Sequence, residues 1–302
     1  MGKVKYISVE EASQNWKISE RSVRNYCAHG RVESAVLEGK TWKIPSDAKK
    51  PERKIRHSSS DKTLISFLKR EKETGLKGGI YHKIQIELTF NSNHIEGSKL
   101  THDQTRFIFE TKTLGITDRA VKIDDILETV NHFRCIDHII EGAKAKLSES
   151  FIKQLHLILK SGTTDSQKSW FRVGDYKMLE NEVGGTETSK PAEVSCKIKT
   201  LLKEYNSKQK IKFDDILDFH VRFENIHPFQ DGNGRVGRLI MFKECLKHNI
   251  VPFIITEELK MFYYNGIKNW KNERGYLRDT CLTAQDEMKT TLDYFGIEYI
   301  QG

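Results

Sequence analysis

Residues 227–238 read His227-Pro228-Phe229-Gln230-Asp231-Gly232-Asn233-Gly234-Arg235-Val236-Gly237-Arg238. Apolar residues recur at helical spacing on both sides of this segment, upstream at Ile216, Leu217, Phe219 and Phe223 and downstream at Val236, Leu239, Ile240, Cys245 and Leu246. This pattern predicts a tight loop that runs into the first turn of a helix. Gly232 and Gly234 allow the backbone N–H groups of the loop to converge. Such a nest of N–H groups at a helix N-terminus binds anions, phosphate above all.

The side chains of the segment favour the same interpretation. Arg235 and Arg238 lie three residues apart on one side of the predicted first turn and can add charge-assisted hydrogen bonds. Asp231 offers an oxygen for Mg²⁺, which usually accompanies nucleotide phosphates. His227 is the one group here suited to taking a proton near neutral pH. The alternative is a helix–loop–helix turn with surface arginines, because Asp-Gly-Asn-Gly strings are common in turns.

The segment resembles the signature of the Fic family, His-x-Phe-x-(Asp/Glu)-Gly-Asn-Gly-Arg-x-x-Arg, at every specified position. The resemblance implies a mainly α-helical domain that transfers AMP from ATP to a Ser, Thr or Tyr hydroxyl of a protein. It implies that His227 deprotonates the target hydroxyl and that Asp231 holds Mg²⁺. The remaining implied ATP contacts in the segment are Gly232, Asn233, Gly234, Arg235, Val236, Gly237 and Arg238.

A second motif ends a predicted helix over about 80–97. Ser92-Asn93-His94-Ile95-Glu96-Gly97 matches the Fic inhibitory motif, (Ser/Thr)-x-x-x-Glu-(Gly/Asn). Ser92 and Glu96 are four residues apart and therefore share a helix face. The resemblance implies that Glu96 pairs with Arg238 and withholds this arginine from the γ-phosphate of ATP. The alternative is a solvated glutamate at a helix end.

The segment 174–186 has glycine near both ends and alternating residues between them, which predicts a short hairpin. Its position resembles that of the Fic flap, which covers the nucleotide and pairs with an extended segment of the target. The resemblance implies that the flap borders the nucleotide through Val183, Gly184, Gly185 and Thr186. An ordinary surface hairpin is the alternative.

Tyr263 and Tyr264 match a tyrosine pair that many Fic proteins place beside the base and sugar of ATP. Ring stacking or a phenol hydrogen bond would be their physical role. Core packing of one of the two rings is an equal alternative. A further polar position of the family falls at Lys271 or Asn272, and the sequence does not decide between them.

The N-terminal fifty residues predict two short helices and a hairpin. They resemble the winged helix-turn-helix of the excisionase and MerR type, which implies DNA binding. In that resemblance Arg21 and Arg24 face the major groove, and Lys40 and Lys43 contact phosphate. Residues 1–56 hold thirteen basic and seven acidic side chains, which gives +6 of the formal +8 of the whole chain. This asymmetry favours a polyanion as partner, and a small protein-docking domain is the alternative.

The composition of the chain sets the broad class of protein. With 302 residues, 37% of them hydrophobic and 30% charged, the sequence is typical of a globular protein. No run of about eighteen apolar residues predicts a membrane span, and the N-terminus lacks the apolar core of a signal peptide. The five cysteines show no paired spacing, which argues against a disulfide framework or zinc site and predicts a cytoplasmic location.

Together these features predict a mainly α-helical protein of two domains. A winged helix-turn-helix over 1–50 is followed by a linker over 51–62, and a Fic domain over 63–302 carries the inhibitory helix, the flap and the signature segment. Two other functions stay open at this point, a DNA-binding regulator whose Fic domain senses nucleotide and an enzyme that removes AMP through Glu96. The sequence leaves the target protein, the operator DNA, the oligomeric state and the preferred base undetermined.

Overall fold

The computed structural model describes residues 5–28, 30–39, 41–51, 63–115, 120–183 and 186–299. The predicted linker 51–62 therefore lies outside the described residues except for Pro51. The chain divides into two compact units, residues 1–58 and residues 59–302. Helices dominate the secondary structure, so the mainly α-helical fold class is confirmed. No helix in these ranges is both long enough and apolar enough to cross a membrane.

The N-terminal unit combines two helices with a small antiparallel sheet of strand order β1-β3-β2. Its elements are β1 (Tyr6–Ile7), α1 (Val9–Trp16), α2 (Glu20–Ala28), β2 (Val36–Glu38) and β3 (Thr41–Pro45). Ser8 and Glu11 form a reciprocal capping box at the start of α1, with bonds of 3.1 and 2.8 Å. Strand β1 was not predicted, because two residues are too few to show a period. It pairs with β3 and closes the sheet over a core that includes Trp16, Val23 and Ile44.

The larger unit is built almost entirely from helices. They are α3 (Leu64–Thr74), α4 (Ile80–Ile95), α5 (His102–Thr111), α6 (Ile123–Gly142), α7 (Glu149–Lys160), α8 (Pro191–Asn206), α9 (Phe213–Ile226), α10 (Asn233–His248), α11 (Lys260–Asn269) and α12 (Gly275–Phe295). A 3₁₀ turn covers Thr164–Gln167, and one hairpin joins β4 (Glu182–Val183) to β5 (Thr186–Glu187).

Helix α10 lies at the centre of this unit. From Val236 to Leu246 every residue is buried, so the helix has no solvent face. Charged side chains in it must therefore find partners inside the protein. Lys243 and Glu244 bond to each other at 2.6 Å, and Glu244 also accepts a hydrogen bond of 2.9 Å from Tyr205. The same constraint applies to the two arginines of the first turn.

Helix α4 packs beside α10 and is buried over most of its length. Its polar side chains bond to α6, Thr89 to His132 at 2.9 Å and Asn93 to Thr129 at 3.2 Å. The helix ends at Ile95, which leaves Glu96 as its C-terminal cap residue. This arrangement places Glu96 close to the first turn of α10.

The hairpin is shorter than the sequence predicts. Its strands cover only β4 and β5, whereas residues 174–181 form turns and bends. The reason is that polar groups of this stretch bond to the signature segment instead of to a partner strand. Lys177 donates its backbone N–H to the carbonyl of Pro228 at 2.9 Å, and the Asn181 amide donates to the carbonyl of Phe229 at 3.2 Å.

Candidate functional site

The signature segment is a closed loop between α9 and α10. His227 ends α9 with φ +52°, and Gly232 begins α10 with φ +80°, a value at which a side chain would be strained. The buried Asn233 amide closes the loop, because its Oδ1 accepts from the N–H of Phe229 and its Nδ2 donates to the Phe229 carbonyl, both at 2.8 Å. The side chain of Asn233 thus shapes the loop, and the free N–H groups at the N-terminus of α10 remain for an anion.

His227 is held as a neutral base. Its Nδ1–H donates to the carbonyl oxygen of Glu224 at 3.3 Å, which leaves the Nε2 lone pair to accept a proton. Burial, with a smaller contribution from the charge of Lys177, lowers the pKa of His227 to about 4 against the opposing effect of the hydrogen bond to Glu224. The imidazole is therefore uncharged near neutral pH, as general-base catalysis requires.

Asp231 lies beside two cations. Its Oδ2 is 2.7 Å from Lys160 Nζ and 3.2 Å from an Arg235 nitrogen. Burial alone would raise the pKa of Asp231, but Arg235 and Lys160 outweigh it and hold this pKa far below its usual range. The carboxylate is ionised at every physiological pH and is 48% exposed, so it can also take a ligand from solvent.

The donor set around Asp231 fits a metal that arrives with a nucleotide. Magnesium ions are usually bound by one or two protein carboxylates, with phosphate oxygens and water completing the octahedron. Among the described residues no group of three or more His, Cys, Asp or Glu side chains forms a metal cage. A magnesium ion at this place would be held by Asp231, and ATP would have to provide other ligands.

The two signature arginines face different partners. Arg235 is buried and bonds to Glu128 as well as to Asp231. Arg238 is also buried, and its guanidinium bonds to Ser92 through the hydroxyl (3.0 Å) and the carbonyl (2.9 Å). The structure thus brings together Ser92 and Arg238, which are 146 residues apart in sequence.

Glu96 completes this contact. Its Oε1 lies 2.6 Å from the same Arg238 nitrogen that bonds to the Ser92 carbonyl. Gly234 provides the space, because a Cβ at this position would lie 2.3 Å from Glu96 Oε1. Because Gly234 has no side chain, the Glu96 carboxylate can lie against the first turn of α10. The same glycine leaves the backbone N–H groups accessible to an anion.

Three further predicted ATP contacts are buried. Tyr263 is 1% exposed, and its hydroxyl is 2.5 Å from His220 Nε2, so the packing alternative applies to this ring. Tyr264 is 38% exposed and can still meet a ligand. Val236 packs in the hydrophobic core and Gly237 is also buried, as is every residue of this part of α10.

The other predicted residues are placed as follows. Val183 and Thr186 pair through their backbones across the tip of the hairpin, whereas Gly184 and Gly185 lie outside the described residues. Lys271 and Asn272 are both exposed, and the choice between them stays open. In the N-terminal unit Arg21, Arg24 and Lys43 are exposed, and Lys40 lies outside the described residues.

Sequence reasoning missed two ionisable side chains near the site, the buried Lys160 and the largely buried Glu224. Lys160 ends an amphipathic helix directly after the buried Leu159, and a lysine at the edge of an apolar face was the available signal. Glu224 lies one turn before His227, and burial raises its pKa to about 8 against the opposing charge of Arg238. Its Oε1 has no hydrogen-bond partner among the described residues.

Comparisons with known proteins agree with this geometry. The Fic/DOC family model matches residues 146–245. Two curated relatives are called "Protein adenylyltransferase Fic", one from Aedes aegypti (26% identical over 79% of this chain) and one from Drosophila mojavensis (25% over 76%). The chain spans about 45% of the length of the Aedes protein and 43% of that of the Drosophila protein.

Solved structures show the same fold. A Fic domain containing signaling protein from Bacteroides thetaiotaomicron is 26% identical, with a TM-score of 0.57 over 76% of this chain and 90% of its own. Fic-1 from C. elegans reaches a TM-score of 0.61 over 77% of this chain and 71% of its own. Because Fic-1 is only 18% identical, its likeness shows the fold alone.

The protonation state of His227 can be measured directly. In an NMR titration of imidazole ¹⁵N shifts, we expect His227 to stay neutral from pH 8 down to pH 5 and to protonate near pH 4, because burial disfavours the imidazolium. The folded-state pKa is lower than the unfolded value of about 6.5. The free energy of unfolding therefore has its full value above the unfolded pKa of His227. It decreases as the pH falls from there toward 4, because only the unfolded state takes up the proton in this range. Comparison with the spectrum of His227→Gln identifies the resonance of His227. A titration midpoint near pH 6.5 for this resonance would contradict the prediction that the imidazole is neutral because it is buried.

Proposed function

Because residues 146–245 carry a Fic/DOC family domain, we propose that this protein is an adenylyltransferase that moves AMP from Mg·ATP to a Ser, Thr or Tyr hydroxyl of a protein. The observation that carries the proposal is the neutral imidazole of His227 beside the anion-binding N-terminus of α10. A base for a hydroxyl and a cradle for phosphates are the two parts that such a transfer needs.

In the proposed reaction the target hydroxyl donates its proton to His227 Nε2 as its oxygen attacks the α-phosphorus. The bond between the α-phosphorus and the bridging oxygen breaks, and pyrophosphate leaves. The N–H groups of α10 hold phosphate oxygens in place. Bound Mg²⁺, held by Asp231, would neutralise phosphate charge. Positioning and charge stabilisation account for most of the rate in such transfers.

The same site supports autoinhibition by Glu96. Arg238 gives one guanidinium nitrogen to Glu96 and Ser92 together, and this nitrogen cannot serve a phosphate at the same time. A γ-phosphate that bonds to this nitrogen must displace the carboxylate of Glu96. The wild-type protein therefore binds ATP with the outer phosphate displaced and transfers AMP slowly. An enzyme that removes AMP, in which Glu96 orients water, is the rival use of this geometry.

A second activity, DNA binding, is favoured by the N-terminal unit. Two helices precede a hairpin, as in a winged helix-turn-helix, and the polar face of α2 exposes Arg21 and Arg24. Lys43 is exposed on β3. We propose that α2 enters the major groove and that the hairpin contacts the backbone.

The role of His227 is tested best in a background without inhibition. In Glu96→Gly protein we expect the additional change His227→Ala to reduce AMP transfer about 10²–10⁴-fold, because a general base contributes that much. ATP affinity should stay within a few-fold, since the phosphate cradle is separate from the imidazole. Transfer from α-labelled ATP to proteins of a host lysate is measured, with ATP binding by calorimetry. An unchanged transfer rate would remove His227 from the mechanism.

Release of Glu96 should activate the protein. If the pairing with Arg238 holds about 99% of molecules inhibited, Glu96→Gly raises transfer and automodification by at most about 100-fold. Autoradiography with α-labelled ATP measures this gain. Arg238→Ala is the control variant. It also breaks the pairing with Glu96, but it should not raise transfer, because it removes the guanidinium that would bind the γ-phosphate. Equal activity of Glu96→Gly and wild type on every target, including itself, would end the inhibitory assignment.

DNA binding should depend steeply on salt. We expect the slope of log K against log salt to fall by about 0.9 for each phosphate contact. Arg21→Ala and Arg24→Ala should weaken the preference for one sequence, whereas Lys43→Ala should weaken binding to all sequences alike. Fluorescence anisotropy with the full-length chain measures both effects. Absence of binding at low salt would favour a protein-docking unit.

A further inference from the structure

A buried lysine shares the proposed metal ligand. Lys160 ends α7 and is 2% exposed, and its Nζ lies 2.7 Å from Asp231 Oδ2. The same nitrogen bonds to Glu128 at 2.5 Å and to Asp165 at 3.1 Å. An ammonium has three N–H donors, and these three carboxylates use all of them.

The charges around Asp231 are balanced within the protein. Arg235 bonds to Glu128 and Asp231, and Lys168 bonds to Asp165 at 2.6 Å. Three carboxylates therefore face three cations, and the cluster is neutral without any metal. A preformed metal site has the opposite character, because its carboxylates exceed the neighbouring cations and leave a net negative charge for the ion.

We propose that Lys160 is a positioning residue that makes Mg²⁺ binding at Asp231 conditional on the nucleotide. Its ammonium occupies Oδ2 and acts as an internal counter-ion in the nucleotide-free protein. Free Mg²⁺ then meets a carboxylate that is already neutralised, whereas the triphosphate supplies the negative charge that the ion needs. The inference rests on the proposed function, since it assigns Asp231 to the metal of Mg·ATP.

Electrostatics gives the direction of each effect. Replacing Lys160 by an uncharged side chain turns the neutral cluster into an anionic one, which attracts a divalent cation and repels a triphosphate. Neutralising Asp165 instead makes the cluster cationic, which has the reverse effect. At the effective dielectric of a protein surface, one charge a few Å away changes affinity by about tenfold or more. If Lys160 had only a structural role, its replacement would lower the stability of the protein without shifting the affinities for Mg²⁺ and ATP in opposite directions.

The test uses calorimetry of the full-length chain with two titrants, MgCl₂ without nucleotide and ATP in EDTA. We expect wild type to bind free Mg²⁺ only weakly, in the millimolar range or above. Lys160→Met should bind free Mg²⁺ about tenfold more tightly and metal-free ATP about tenfold more weakly. Lys160→Arg keeps the charge and should restore the wild-type pattern. Lys153→Met, on the same helix but paired with Glu149 and Asp175, is the matched control.

Asp165→Asn keeps the inference testable if Lys160→Met fails to fold, which circular dichroism would reveal. This change at a partly exposed side chain should weaken free Mg²⁺ binding and strengthen metal-free ATP binding. Micromolar affinity of wild type for free Mg²⁺ would overturn the inference, as would unchanged affinities in Lys160→Met or, where that variant does not fold, in Asp165→Asn. Wild-type protein that binds no ATP with or without Mg²⁺ would instead overturn the proposed function itself, and with it the inference.

Discussion

The buried guanidinium of Arg238 is the constraint on which the site depends. A charge inside a protein is tolerated only when it is paired and hydrogen-bonded, and α10 has no solvent face to which Arg238 could turn. Its partners Ser92 and Glu96 come from the end of α4, so satisfying this one charge fixes that helix end against the first turn of α10. Removal of one partner of such a pair typically costs about 3–5 kcal/mol, unless another anion takes its place.

Desolvation by the surrounding helices also sets the proton chemistry. The same burial that keeps His227 neutral raises the pKa of Glu224 to about 8, one turn earlier on α9. Asp231 escapes this effect because two cations outweigh it. The loop therefore presents a neutral base and an ionised carboxylate four residues apart, which is the pattern of separated pKa values that acid–base and metal chemistry use.

The sequence predicted what depends on local chemistry. The helices on both sides of the signature segment and the end of α4 follow from neighbouring residues alone. Strand β1 and the full burial of Tyr263 depend on distant packing, and a local pattern does not contain that information. Lys160 is the clearest case, since its partners Glu128 and Asp231 lie 32 and 71 residues away in sequence.

The position of Glu96 directly after the last residue of α4 has a consequence for how fast its contact with Arg238 can open. Asn93 and Ile95 of the last turn are buried, whereas the Glu96 side chain is 27% exposed. Upstream, α4 stays anchored through the bond of Thr89 to His132. The carboxylate can therefore leave Arg238 by rotation of the Glu96 side chain, while the helix and the core remain in place. Rotamer changes of partly exposed side chains are faster than the opening of a helix, so a nucleotide would meet a contact between Glu96 and Arg238 that breaks and re-forms repeatedly.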